Sequence, residues 1–209
     1  MKIIKPYFEI YNDGIYGEDV LRKIEKCGRI CYKSEHKITE DSAKIFVKNI
    51  IKAGHEVVLE HESLTIKFVV DRGVSHEIVR HRMASYCQES TRYCNYAKDD
   101  FNNEITVIKP FFLIEGSTGW NHWKEGCKAA EKAYFDLLEW GCTPQEARSV
   151  LPNSLKTELV MTANLREWQH FLKLRCSKAA HPQIREVTIP LLKELQERIP
   201  IIFDDIEGE

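Results

Sequence analysis

The chain lacks the glycine-rich loops that commonly cradle phosphate. No GxGxxG follows a strand-like run and no GxxxxGK[ST] occurs, which excludes a Rossmann turn and a P-loop. HExxH and GxSxG are missing too, so neither a zincin helix nor a nucleophile elbow is available. A nucleotide hydrolase or kinase is further disfavoured by the lack of a paired-carboxylate metal motif. Seven cysteines (27, 31, 87, 94, 127, 142 and 176) form no CxxC pair, and no second Cys/His pair at finger-like spacing follows Cys27 and Cys31. They read as reduced, mostly buried thiols, and no metal site is expected. No apolar run approaches the length of a bilayer span, and Met1-Lys2-Ile3-Ile4-Lys5-Pro6 has neither the apolar stretch nor the cleavage site of a signal peptide. A soluble, cytoplasmic protein without a membrane partner is expected. A large excess of charge of either sign is missing as well. The net charge is −2, so the surface is no polyanion-binding face and a nucleic-acid partner has no support from it. Any bound nucleotide or flavin must be held by side chains.

What is present suits a folded domain. Of 209 residues, 43% are hydrophobic and 30% charged, enough for one core, and a single domain over 1–209 is expected. Residues 18–31 read as a helix with Val20, Leu21, Ile24 and Cys27 on one face. Thr39 is the expected N-cap of a second helix, lined by Ile45, Phe46, Ile50 and Ile51 and ending at Gly54. Residues 63–71 read as a strand broken at Arg72-Gly73, with Ser75 capping a short helix through Val79. Polar loops are expected at 97–104 and 115–119, a short strand at 105–109, a long helix at 120–140 and a helical turn from Pro144. Residues 155–163 make a late strand, and Asn164 opens a helix through Arg175. A last helix starts near Pro182 and is broken at Pro190 or Pro200, ahead of an acidic tail at 204–209. Interleaved strands and helices define an α/β (α+β) class, without strand order.

The densest polar concentration is His76 to Tyr93, directly after an apolar strand, where sites commonly sit. The guanidinium fork suits phosphate and pyrimidine edges, which accept paired hydrogen bonds. If 88–92 is extended, Gln88, Ser90 and Arg92 share a face and form a phosphate or base pocket. For a single arginine, surface pairing of Arg80 or Arg82 with Glu77 or Glu89 is the simpler reading. For a cluster with so few lysines among its cations, a binding site is favoured.

Arg80-His81-Arg82, seven residues, then Ser90 resembles the signature of the flavin-dependent thymidylate synthases, and Gln88-Glu89-Ser90-Thr91-Arg92-Tyr93 is similar to the surrounding family pattern. Gly54-His55-Glu56-Val57-Val58-Leu59-Glu60-His61 resembles a second family stretch, with Val57 where Ser or Thr usually contacts the flavin. Ala147-Arg148-Ser149-Val150-Leu151-Pro152 and Asn164 through Arg175 resemble two more, and Ala180-His181-Pro182-Gln183-Ile184-Arg185 is also similar although it reads more simply as a helix start, so the likeness extends from about residue 54 to 185.

The resemblance implies a non-Rossmann domain with a central sheet flanked by helices, a tightly bound FAD, and reductive methylation of dUMP to dTMP. NADPH reduces the FAD and 5,10-methylenetetrahydrofolate donates the carbon. It implies substrate contacts by Glu77, Arg80, Gln88, Glu89, Ser90, Thr91, Arg92, Arg148 and Arg175. Glu77 stands where the family often has Gln. His55, Val57, Arg80, His81, Arg82, Gln88, Asn164, Arg166 and His170 form the implied flavin set. Arg175 is the implied catalytic group, stabilising charge on the pyrimidine. Ser90 reads better as a phosphate ligand than as a nucleophile, because no base is placed to activate it. Cys87 and Cys94 flank the motif without a nucleophile's setting. The family assembles as homotetramers with shared sites. Two rivals remain: a nucleic-acid module stacking bases on Tyr86, Tyr93 and Tyr96, and a relative that has lost activity, for which Val57 is the support.

Overall fold

In the computed structural model, the chain folds as β1 (Lys2–Ile4), β2 (Tyr7–Ile10), α1 (Gly17–Cys31), α2 (Ser42–Lys52), β3 (Ser63–Asp71), α3 (Arg72–Ile78) and β4 (Ala84–Gln88). It continues as β5 (Thr106–Ile108), α4 (Thr118–Glu139), α5 (Pro144–Ala147), β6 (Lys156–Asn164), α6 (Leu165–Arg175) and α7 (Pro182–Arg198). The structure describes residues 1–11, 17–98 and 101–208. Asp99 and Asp100 of the expected 97–104 loop, and Glu209 of the acidic tail, lie outside them. The mixed α/β class is as expected. The strands form two sheets, a four-stranded one in the order β2-β3-β6-β4 and a pair β1-β5. No helix among the described residues is long and apolar enough to cross a membrane.

The chain divides into two compact units, each discontinuous in sequence. The first comprises Met1–Tyr7, Phe68–Arg80 and Cys87–Val160. In it β1 and β5 pair in parallel with Lys2 opposite Thr106, and Val107 bridges to Leu155. Their apolar side packs with α4 and α5 through Ile105, Val107, Cys127, Tyr134, Ala147 and Leu155. Asp71 caps α3 by accepting from the Val74 N–H at 2.7 Å. Ser75, the expected cap, lies one turn inside and donates to the Arg72 carbonyl. A carboxylate at the strand end reaches a free N–H of the first turn, so the helix is capped four residues earlier than expected.

The second unit comprises Phe8–Lys67, His81–Tyr86 and Met161–Glu209. Here α1 packs on α2 at Gly28, where an added Cβ would stand 2.6 Å from the Phe46 ring. The buried Glu25 carboxylate beside it is satisfied by Arg29 and by the Ser42 hydroxyl. α2 begins at Ser42 with Asp41 before it, so Thr39 is not its cap. Thr39 instead donates its N–H to the Ser42 hydroxyl. Leu64, Ile66, Trp168, Phe171, Leu172, Ile184 and Leu191 are buried, and the Trp168 indole donates to the Leu64 carbonyl at 3.1 Å. α7 continues through Pro190 and ends before Pro200, so Pro190 does not break it. β2, β3, β4 and β6 each contribute residues to both units.

Candidate functional site

The polar residues singled out by sequence divide between the units. In the first, β4 ends at Gln88 and the chain turns at once, with the Tyr93 and Cys94 N–H groups both donating to the Ser90 carbonyl. Residues 88–92 are therefore not extended, and the alternating face expected there does not form. A turn gathers the same side chains instead. The Gln88 amide donates to the Ser75 hydroxyl at 3.0 Å and the Thr157 hydroxyl at 3.2 Å. Leaving such an amide buried and unpaired costs about 1–3 kcal/mol, so these hydroxyls fix its orientation. Arg148 donates to the buried Thr91 hydroxyl at 3.2 Å. The Ser90 hydroxyl accepts from the Arg92 N–H at 3.3 Å, closing a local turn, and the Arg92 guanidinium lies 5.6 Å from the Tyr93 ring centre.

Glu89 is occupied otherwise than the surface-pairing reading supposed. It pairs with Lys156 at 2.9 Å and accepts from the Tyr96 hydroxyl at 3.0 Å, while Arg80 and Arg82 are exposed. Burial and the neighbouring Glu89 push the Tyr96 phenol well above its usual range. Tyr96 is 3% exposed and Tyr86 donates to the His81 carbonyl, so of the three tyrosines proposed to stack bases only Tyr93, 79% exposed, presents an open ring. Burial also pushes the Cys94 thiol up, which argues against a thiolate nucleophile there. Lys156, which sequence reading missed, bridges Glu89 and Glu158 on one wall of an open cleft of about 400 Å³.

In the second unit the site is organised by α6. Asn164 is both the last residue of β6 and the N-cap of α6, its side chain accepting from the Glu167 N–H at 2.9 Å. Such a cap is worth about 1 kcal/mol. His81 lies against the helix, 5% exposed. Its Nδ1 is 3.1 Å from the Glu167 carboxylate, and its Nε2 is 3.1 Å from Arg175 Nε. The Phe171 ring packs edge-on at 4.8 Å and the His170 ring at 5.5 Å. Burial lowers the His81 pKa, Arg175 and His170 add to this, and Glu167 opposes it. The Tyr86 phenol is pushed up to about 12, chiefly by burial.

His81, Glu167 and His170 carry possible metal-ligand atoms within 4.8 Å of one another. Both His81 nitrogens are already committed, so the group reads as a hydrogen-bonded network rather than a metal centre. Glu167 was not among the residues singled out by sequence. Its one sequence signal is its place three residues after the capping Asn164.

Two clefts flank Arg166. One, of about 470 Å³, is lined by Met83, Asn164, Arg166, His170 and Lys173 with Glu56 and Glu60. Arg166, His170 and Lys173, three or four residues apart along α6, share this face. The other, of about 320 Å³, is lined by Tyr32, Gly54, His55, Val57 and Arg166. Tyr32, another residue missed by sequence reading, places its hydroxyl 2.9 Å from His55 Nδ1. Val57 is 58% exposed, so an apolar side chain stands in the open where the resembled family usually has a hydroxyl. Arg166 donates to Glu60 at 2.6 Å and lies 3.6 Å from Glu56. The paired clefts, sharing a guanidinium and offering His55, His170 and Met83 as walls, suit an elongated ligand with a flat ring and a central anion.

Residues 16–201 match the family model described as thymidylate synthase complementing protein. The chain is 33% identical over 184 residues to a protein of Geobacter sulfurreducens named flavin-dependent thymidylate synthase, covering 85% of this chain and 78% of that one. A protein of the same name from Pyrococcus abyssi is 35% identical, over 79% of this chain and 68% of its own. Another, from Mycobacteroides abscessus, is 34% identical over 88% and 78%.

Proposed function

The chain belongs to the flavin-dependent thymidylate synthase family, and we propose that it converts dUMP to dTMP, taking the carbon from 5,10-methylenetetrahydrofolate and reducing equivalents from NADPH through FAD. The observation that carries this reading is the hold of Arg175 on His81, the central residue of the Arg80-His81-Arg82 motif. It fixes a cation beside His81, on the side of α6 that carries Glu167 and Phe171.

FAD, when bound, supplies the hydride that completes the methyl group. The protein's residues bind, orient and stabilise charge. His55, His81, Arg82, Asn164, Arg166 and His170 would hold the flavin, Arg166 exchanging Glu60 for the diphosphate. Val57 adds only apolar contact. Arg80, Gln88, Ser90, Thr91, Arg92 and Arg148 would hold dUMP, with Ser90 and Arg92 at its phosphate and Glu77 and Glu89 at its margin. Arg175 faces the pyrimidine and stabilises the negative charge that develops as N3 loses its proton, making C5 nucleophilic without a cysteine. In this reading residues 1–209 act as one domain of a cytoplasmic homotetramer that shares sites between subunits.

The test is dTMP formation from dUMP, methylenetetrahydrofolate and NADPH under low oxygen, with and without added FAD. Product that depends on FAD supports the reading. A folded protein that binds FAD but makes no product would overturn it in favour of an inactive relative. For shared sites, mixed tetramers of Arg175→Ala and Arg80→Ala chains should recover part of the activity. No recovery in verified mixed tetramers would rule sharing out.

A further inference from the structure

We propose that Glu167 is a positioning residue for Arg175, acting through the His81 ring by selecting the tautomer whose bare Nε2 accepts from the guanidinium. This rests on the reading of Arg175 as the group that faces the pyrimidine. The two hydrogen bonds leave the ring little choice. Arginine has donors and no acceptor, so the Arg175 Nε–H at 3.1 Å requires an unprotonated His81 Nε2. A neutral ring must then carry its proton on Nδ1, the nitrogen 3.1 Å from the Glu167 carboxylate, which accepts it. The opposite tautomer would set a lone pair against the carboxylate and an N–H against the guanidinium. The doubly protonated ring would satisfy Glu167 and repel Arg175. Only one of the three states satisfies both ends.

The surroundings hold that state. Glu167 is the third residue of α6, its N–H held by Asn164 and its side chain only 12% exposed. Phe171, one turn further, packs edge-on against the ring, and Arg175 follows one turn later. Tyr86 fixes the backbone of His81 through its carbonyl at 2.7 Å. Burial lowers the ring's pKa, which favours the neutral form. Arg175 is gripped by Nε, the inner nitrogen, so the plane of its guanidinium is set from behind. Its peptide carbonyl is gripped as well, by the Thr188 hydroxyl of α7 at 3.0 Å.

Glu167→Gln tests this, because it keeps the volume and replaces an acceptor-only carboxylate with an amide that can also donate, so the partner of Nδ1 no longer selects one tautomer. Long-range nitrogen–proton spectra of the histidine rings, with His81 assigned through His81→Asn, should show protonated Nδ1 and bare Nε2 in the wild type. The Gln variant should show loss of that single state. The turnover number for dTMP should fall by about 10- to 100-fold, the cost of a small misplacement of a reacting group. KM for dUMP should change less than threefold, flavin content should hold, and Glu167→Asp should recover part of the loss. An unchanged tautomer with turnover within twofold would overturn the proposal. So would a loss of turnover explained by lost flavin or a lowered melting temperature. If the wild type itself makes no dTMP, the assigned reaction fails, and the tautomer comparison still decides whether Glu167 governs His81.

Discussion

The arginines assigned to substrate and to cofactor are held in opposite ways. Around the turn after β4, the arginine and amide assigned to substrate are held by neutral partners: Arg148 by a threonine hydroxyl and Gln88 by two hydroxyls. On α6, Arg166 is held by the carboxylates of Glu60 and Glu56, and Arg175 by an imidazole. A cation oriented by a hydroxyl keeps its full charge for an incoming anion. A cation paired with a carboxylate must exchange one anion for another, so binding there is net of the bond it gives up. In the proposed reading, the dUMP side is thus pre-oriented, and the cofactor side exchanges partners.

The sharpest break of this contrast is Arg175→Ala, which should lower turnover by about 100- to 1,000-fold, the usual effect of removing one fixed charge-stabilising donor. Steady-state assay with saturating dUMP checks it. Arg148→Met keeps the apolar stem and deletes the charge-assisted contact. It should raise KM for dUMP by about 10- to 150-fold, the equivalent of 1.5–3 kcal/mol, with a much smaller effect on FAD binding. A pH series sharpens the contrast further. His81 titrates below its ordinary value of about 6.5 in the fold, mainly through burial, with Arg175 and His170 lowering it and Glu167 raising it. Between 6.5 and the lowered value the unfolded chain takes up a proton that the folded chain refuses. Stability is therefore complete above 6.5 and declines as pH falls through that window. Denaturant midpoints measured across pH 5–8 should show the decline, and Glu167→Gln should extend it to lower pH. The smallest effect is expected from Glu60→Gln, which weakens the partner that a flavin diphosphate would displace in the proposed reading. It should tighten FAD binding roughly two- to fivefold, as expected for one exposed ion pair, and fluorescence titration would detect it.

The long elements were legible because their periodicity is local. α1, α4, β3 and β6 lie within three residues of where apolar spacing puts them. β1, β2 and β4 were not read, because three- to five-residue strands gain their stability from partners far along the chain, as Lys2 does from Thr106. Residue identities at the candidate site were legible through the Arg80 to Ser90 motif, yet their local geometry was not. Ser90 closes a turn where an extended strand was expected. Glu167 and Tyr32 were missed for a related reason. An acid in a helix's first turn and a tyrosine just after α1 are ordinary until the fold brings His81 and His55 against them.

Asn164 ends β6 and caps α6 with no residue between them. The joint has no slack, so the chain tolerates no change of length there. One inserted residue would turn α6 by about 100° about its axis, carrying Glu167, His170 and Arg175 away from His81 together. One deletion would turn them by the same angle the other way. Length variation in this protein must therefore be absorbed in its loops, and a scan of single-residue insertions would find β6–α6 among its least permissive segments.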